Sequence, residues 1–229
     1  MRRATAGSRP RGWRTALVLV AVVALGWAGA VIYTAVTRGE KAEPERAPQL
    51  RANALPDGLA GTPAPRIVLD DGRGERVDTA DLAGRPYAIT FLYTRCGDVC
   101  PLIGQELRGA LNDLGPAARG TTVLAVSVDP EGDTPAAVRA WLKRHRMPAN
   151  FRYLIGSTRR LEPVWRRYFV SPQIPGRPET STHTASIWLV DARGRLRGVY
   201  PGGLAVAPDI AHDLRKLIDE ERPRPVGAT

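Results

Sequence analysis

The sequence predicts an α/β domain in which helices cover a mixed β-sheet. From about residue 62 to about residue 222, short apolar runs rich in β-branched residues alternate with longer segments of helical spacing. The last two apolar runs flank the turn Ala192–Gly194 and indicate an antiparallel hairpin. Alternating elements followed by a hairpin predict a sheet that contains both parallel and antiparallel strands.

The strands are predicted from apolar runs bounded by turn residues. Tyr87–Tyr93 and Thr121–Val128 are the most strongly apolar and should be buried. The glycine-containing turn Asp70–Gly74 separates the first two short strands. In chain order the predicted strands are Ile67–Leu69, a segment near Arg76–Val77, Tyr87–Tyr93, Thr121–Val128, Arg152–Ile155, Ser186–Asp191 and Leu196–Tyr200.

Four helices are predicted from apolar residues at helical spacing. Thr134 followed by Pro135 is typical of an N-cap with proline in the first helical position. Pro163 falls in the first turn of the third helix, where a missing N–H is tolerated. The predicted helices are Pro101–Leu114, Pro135–Arg146, Arg160–Phe169 and Pro208–Glu221.

A charge-free segment near the N-terminus predicts a membrane anchor. Thr15–Thr37 would span about 34 Å as a helix, against about 30 Å for a bilayer core. Five arginines precede it, so residues 1–14 should be cytoplasmic and the rest of this single-pass protein extracytoplasmic. A cleaved signal peptide is the alternative, with Ala28–Ala30 as its cleavage site, but the apolar run is longer than such peptides usually have.

The remaining chain divides into a tether, a domain and a tail. Residues 38–61 contain three prolines among polar residues and alanines, which predicts a semi-extended tether. Residues 62–222 are enough for one domain. The short C-terminal segment 223–229 is predicted to be disordered.

The formal net charge of +10 does not indicate nucleic-acid binding. Residues 1–38 contain six arginines and no acidic residue, and the remainder of the chain carries a net charge of only +4. In that remainder basic and acidic residues are interspersed, without the pattern of aromatic and basic residues that binds nucleic acid. Most of the excess charge therefore belongs to the segment that carries the predicted anchor.

Two cysteines and one histidine are the candidate functional residues. Cys96 and Cys100 follow the strongest central strand, and His183 precedes the strand at Ser186–Asp191. Two thiolates and an imidazole form a soft ligand set that suits Cu(I) or Zn(II), and the Irving–Williams order favours copper over zinc. The same thiols could instead form a disulfide and act as a redox-active pair.

Proline at position 101 indicates how the cysteines are placed. Because proline fits the first turn of a helix, Cys96 and Cys100 are expected in a five-residue loop between a strand end and a helix N-terminus. The positive end of the helix dipole, together with Arg95, should stabilise a thiolate there. Two inert buried cysteines would be the alternative. The remaining histidines, His145 and His212, are expected to be solvated.

Three motifs resemble the Sco/SenC family. Phe91–Pro101 is similar to the family's strand followed by Cys-x-Asp-x-Cys-Pro. Val126–Pro135 is similar to its Ser-Val-Asp-Pro-x-x-Asp-Thr-Pro run, and Thr182–Thr184 lies where the family carries a histidine ahead of a strand. The resemblance covers about residues 60–220 and implies a thioredoxin-like fold.

This resemblance implies a copper-binding assembly factor. Cys96, Cys100 and His183 would be its copper ligands, and the copper-site subunit of cytochrome c oxidase its partner, with a thiol reductant as a further partner. Two positions depart from the family pattern: Gly97 replaces a usual proline, and Thr182 replaces a common aspartate. The alternative is a membrane-tethered thiol–disulfide oxidoreductase acting on the cysteines of a copper-site client, against which stand three intervening residues instead of two.

Overall fold

A seven-stranded mixed sheet forms the centre of the computed structural model, which describes residues 50–56, 58–172 and 185–221. The strand order is β2-β1-β5-β4-β3-β6-β7. Strands β3, β4 and β5 are parallel, and the pairs that flank them on both sides are antiparallel. The strands are β1 Val68–Asp71, β2 Arg76–Asp78, β3 Tyr87–Leu92, β4 Thr122–Ser127, β5 Phe151–Ile155, β6 Ser186–Val190 and β7 Leu196–Pro201.

Four helices pack on this sheet. Thr134 caps the second one by accepting a hydrogen bond from the Ala137 N–H, and Pro135 occupies its first position, as the sequence predicts. The first and last helices pack against each other, and Gly109 lies so close to Ala207 that it leaves no room for a β-carbon. The helices are α1 Val99–Leu114, α2 Pro135–Arg144, α3 Thr158–Arg167 and α4 Ala207–Glu220.

The central parallel strands are the most completely buried part of the core. Every residue of β3 is buried, and five of the six residues of β4 are buried. Burial on both faces is the pattern expected for the parallel centre of an α/β sheet. Trp141 of α2 packs on Phe151 and Tyr153 of β5 with ring centroids 6.1 and 5.6 Å apart. These contacts fix the framework from which the loops at the ends of β3 and β4 project.

The predicted α/β class and mixed sheet are confirmed, and each predicted element boundary falls within two residues of the observed one. The structure adds residues 50–56, from the segment predicted as a tether, to the folded part of the chain. Asn53 pairs with Val199 beside β7, and Leu55 is buried. Two acceptor oxygens of Asp213 explain this packing, because they bind the N–H groups of Arg51 and Ala52 at 2.8 Å.

The predicted anchor at Thr15–Thr37 and the tail at 223–229 lie outside the described residues. Within the ranges that are described, none of the helices has the length and apolar character to cross a bilayer.

Candidate metal centre

The sheet topology brings the candidate cysteines to one end of the sheet, where the parallel strands terminate. Strands β3 and β4 are parallel, with Leu92 opposite Ser127, so the loops that follow them meet at their C-terminal ends. Strand β6 runs antiparallel to β3, so its first residue, Ser186, lies toward the same end of the sheet. The cysteine loop, the Ser127–Thr134 loop and the entry to β6 therefore share one end of the sheet.

Both cysteines are buried beside the start of α1. Cys96 is 8% exposed and Cys100 is fully buried. The prediction that both lie in a loop was wrong for Cys100, because α1 begins at Val99 and places Cys100 in its first turn. The helix can begin before Pro101 because the first-turn N–H groups have no partner within the helix, so the missing N–H of proline costs nothing there.

The sulfur of Cys96 caps α1. Asp98 occupies the N-cap position, yet within the described residues its carboxylate makes no capping bond, and it is exposed. The Cys100 N–H instead donates to Cys96 Sγ at 3.3 Å, and the Asp98 N–H donates to the same sulfur. A thiolate has thus taken the place of the usual side-chain oxygen at the positive end of a helix.

The two sulfurs differ in protonation. The Cys100 thiol donates a hydrogen bond to Cys96, and with the backbone N–H groups of Asp98 and Cys100 this lowers the pKa of Cys96 to about 5 against the opposing effect of burial. The same bond, followed by burial, raises the pKa of Cys100 far above its ordinary value. At neutral pH the reduced pair therefore consists of one thiolate and one thiol.

Arg95 stabilises the neighbouring loop. Its guanidinium binds Asp129 with Nε and Nη2 at 2.9 and 2.7 Å from Oδ2, and burial leaves the Asp129 side chain 5% exposed. The pair packs directly over Gly132, where a β-carbon would collide with both side chains. Arg95 therefore bridges the cysteine loop and the loop after β4. Its expected role in stabilising a thiolate stays a prediction.

A buried carboxylate, Asp133, holds the ends of three strands together. It accepts from the Thr94 N–H at 2.7 Å, the Ser127 hydroxyl at 2.6 Å and the Tyr153 hydroxyl at 3.2 Å. Burial raises its pKa, and the bonds from Ser127 and Thr94 oppose that shift. Asp133 was not among the functional residues predicted from the sequence, although the motif that contains it, Val126–Pro135, was the available signal.

The thiolate of Cys96 makes the stability of the reduced, metal-free protein depend on pH. Because folding lowers the pKa from an ordinary value of 9.0 to about 5, this group stabilises the fold above pH 9 and loses its contribution as the pH falls through about 5. We expect ultraviolet thiolate absorbance to titrate near pH 5 in the wild type. In Cys100→Ala the lost donor should move that titration upward, and an unchanged midpoint would contradict the assigned cause.

The candidate histidine, His183, and the neighbouring Thr182 lie outside the described residues. His145 is half-buried rather than solvated, with its ring 4.4 Å from that of Trp141, and burial lowers its pKa. His212 lies on the last helix, with its Nδ1 atom 2.9 Å from Asp213 Oδ1. Over the described ranges, clusters of three or more histidine, cysteine or acidic side chains able to hold a metal ion are absent.

The motifs and this geometry agree with the comparison to known families. The SCO1/SenC family model matches residues 64–219, which includes both cysteines, the Asp129–Asp133 loop and the strand after His183. The chain belongs to the SCO1/SenC family. The match spans the sheet and all four helices described above, so the thioredoxin-like fold expected from the motifs is confirmed.

Individual relatives of this family member carry two kinds of name. The copper-bound ScoI of Bradyrhizobium japonicum is 29% identical, with a TM-score of 0.59 over 68% of this chain and 99% of that chain. The mitochondrial SCO2 homologue of Bos taurus is 27% identical over 82% of this chain and 70% of its own length. The thiol-disulfide oxidoreductase ResA of Bacillus subtilis is 26% identical over 90% of this chain and 91% of its own length.

Proposed function

We propose that this chain is a membrane-anchored, extracytoplasmic copper chaperone that delivers copper to the copper centre of cytochrome c oxidase. It binds one copper ion through Cys96, Cys100 and His183. The observation that supports this proposal most directly is the pair of buried cysteine sulfurs at the N-terminus of α1, where the Cys100 N–H donates to Cys96 Sγ. Soft sulfur ligands select Cu(I). A similar protein of the same family, the ScoI of Bradyrhizobium japonicum, has copper bound.

The donor set fits a copper ion that is carried as cargo. Cys96 already presents a thiolate, and Cys100 must lose its proton when the metal binds. Near neutral pH, loading with Cu(I) therefore releases about one proton from the pair. Burial of both sulfurs would limit the access of water to a bound ion. A site with only three protein ligands would leave a position open for a ligand of the acceptor.

The path of the chain supports His183 as the third ligand. Ala185 accepts a hydrogen bond from the Gly202 N–H at 2.5 Å, and a β-carbon on Gly203 would lie 3.6 Å from the side chain of Val99, the residue before Cys100. His183 is two residues from Ala185, a reach of about 7 Å in an extended chain. Ala185, the first described residue after His183, is therefore hydrogen-bonded to the loop that contacts the start of α1.

Histidine substitutions test the ligand set. We expect the purified wild-type protein to bind one copper ion per chain, and His183→Ala to weaken retention about tenfold or more, because one of three ligands is lost. His145→Ala and His212→Ala are the matched controls and should leave copper affinity unchanged. Affinity should be measured by competition with a Cu(I) chelator, and unchanged affinity and spectrum in His183→Ala would contradict the three-ligand site.

The proposed topology rests on the charge-free segment Thr15–Thr37 and the five arginines before it. We expect protease to remove the domain when it is added to intact cells stripped of their wall or outer membrane. The anchor should stay in the membrane. A protected domain, or a mature N-terminus that begins after Ala30, would contradict an uncleaved anchor with an extracytoplasmic domain.

A thiol–disulfide oxidoreductase remains the second candidate, supported by the lowered pKa of Cys96 and by the similarity to ResA. The Cys96 thiolate would attack a client disulfide and form a mixed disulfide. Cys100 would then give its proton to the departing client thiolate and attack Cys96, so that the client gains two electrons and a Cys96–Cys100 disulfide forms. Rapid reduction of an oxidised copper-site domain by the metal-free protein would favour this candidate.

A further inference from the structure

Exposed apolar side chains are concentrated beside the cysteine pair. Of four exposed large apolar side chains in the described residues, three lie on α1 or on the loop that leads into α4. Leu204 is 77% exposed, Leu102 is 52% exposed and Val206 is 47% exposed. Single exposed leucines are ordinary on protein surfaces, but a contiguous group marks an interaction site.

Two contacts place these side chains along one face of α1. A β-carbon at Gly203 would touch Val99, so the loop begins beside the first turn of α1. The Ala207 N–H donates to Glu106 Oε2 at 2.5 Å, so the loop ends two turns further along the same helix. Leu204–Val206 consequently runs alongside the intervening turn, which carries Leu102.

This apolar surface, made of Val99, Leu102, Leu204 and Val206, has little charge in it. The chain from Pro201 to Pro208 contains no charged residue, although 24% of the whole sequence is charged. Beneath it, Ala205 is buried and anchors the loop to the core. Leu204 and Val206 are therefore held outward by a loop that is fixed at both ends and in the middle.

We propose that this apolar surface is the docking site for the protein that accepts the copper ion, which must present soft metal ligands on an uncharged apolar surface of its own. The inference rests on the proposed function. Ligand exchange requires the ligands of the acceptor to reach two buried sulfurs. Val99 precedes Cys100 and also belongs to the apolar surface, so an acceptor that reaches the sulfurs covers this surface as well.

The test compares copper transfer to a protein with copper transfer to a small molecule. The full-length chain in detergent is loaded with Cu(I) and mixed with the purified copper-site domain of the oxidase subunit, or with a water-soluble bathocuproine chelator. In the double variant Leu102→Gln/Leu204→Ser, transfer to the domain should slow about tenfold, because apolar anchors at the centre of an interface dominate binding. Removal by the chelator, which needs no docking, should keep its wild-type rate.

Phe169→Asn is the matched control, since Phe169 is 64% exposed at the end of α3, outside the apolar surface. Its positive φ of 56° is one that asparagine tolerates well. It should transfer copper at the wild-type rate to both acceptors. A double variant that transfers to the domain as fast as the wild type overturns the docking site.

Other outcomes are equally decisive. A double variant that also loses copper faster to the chelator would show that the surface supports the metal site rather than the acceptor. A wild-type dimer in sedimentation that the double variant dissociates would assign the surface to a second copy of the chain. If the wild-type protein binds no copper, or transfers none, the proposed function itself is refuted. This result differs from failure of the docking site because it is seen before any substitution is made.

Discussion

Copper binding is expected to disappear in Cys96→Ser and in Cys100→Ser. A hydroxyl is a poor ligand for a soft ion, and either change leaves one sulfur where the site needs two. The affinity for copper should fall by more than about a hundredfold, because a thiolate binds Cu(I) far more tightly than a hydroxyl does. Metal content after gel filtration and competition with a Cu(I) chelator would measure it.

The fold should survive these substitutions. Serine at position 96 still offers an oxygen to the Cys100 N–H, so the cap of α1 is retained. Gly97→Ala is the control in the same loop, because a β-carbon at this position meets nothing within 4 Å. That variant should bind copper and unfold like the wild type. Copper retention by either serine variant at wild-type affinity would remove the cysteines from the site.

Removing the buried carboxylate of Asp133 should give the second large effect, on stability. Asp133→Ala leaves the Thr94 N–H and the hydroxyls of Ser127 and Tyr153 without their acceptor. Orphaned buried donors cost about 1–3 kcal/mol each, partly offset because a desolvated carboxylate is also removed, so the free energy of unfolding should fall by about 3 kcal/mol. Chemical denaturation of the purified domain would measure this change.

Two further variants separate hydrogen bonding from charge at this position. Asp133→Asn keeps one acceptor oxygen and should lose about half as much stability. Since burial raises the pKa of Asp133, the wild-type carboxyl favours the folded state most at low pH, and that contribution declines as the pH rises through the raised pKa. Glu131→Ala, an exposed carboxylate in the same loop, should change stability little, and a loss equal to that of Asp133→Ala would contradict the assigned network.

Local patterns in the sequence were sufficient to predict the elements of this fold. β-Branched runs, the Thr134–Pro135 cap and helical spacing depend on neighbouring residues, so each element could be placed before its partners were known. The packing of residues 50–56 was missed because it depends on Asp213, more than 150 residues away. Sequence spacing gives no signal for a contact of that kind.

The sequence was sufficient to place the two cysteines between a strand and a helix, but not to predict their local geometry. The spacing of Cys96 and Cys100 before a proline identified the pair, while the helix start at Val99 depends on a sulfur taking the place of the capping oxygen. The bond between Arg95 and Asp129 was missed because Asp129 lies 34 residues further along the chain. The role of Asp133 likewise depends on Tyr153, which another strand brings in.

The backbone bonds to the Cys96 sulfur bear on how tightly a cargo ion can be held. N–H groups that point at a thiolate withdraw electron density from it, so a metal bound there forms a weaker bond than it would with an unshared sulfur. A weaker bond shortens the residence time of the ion, which suits a carrier better than a store. Both donors are main-chain groups, at Asp98 and Cys100, so side-chain substitution at those positions leaves them in place. The release rate is in this respect a property of the path of the chain around the sulfur.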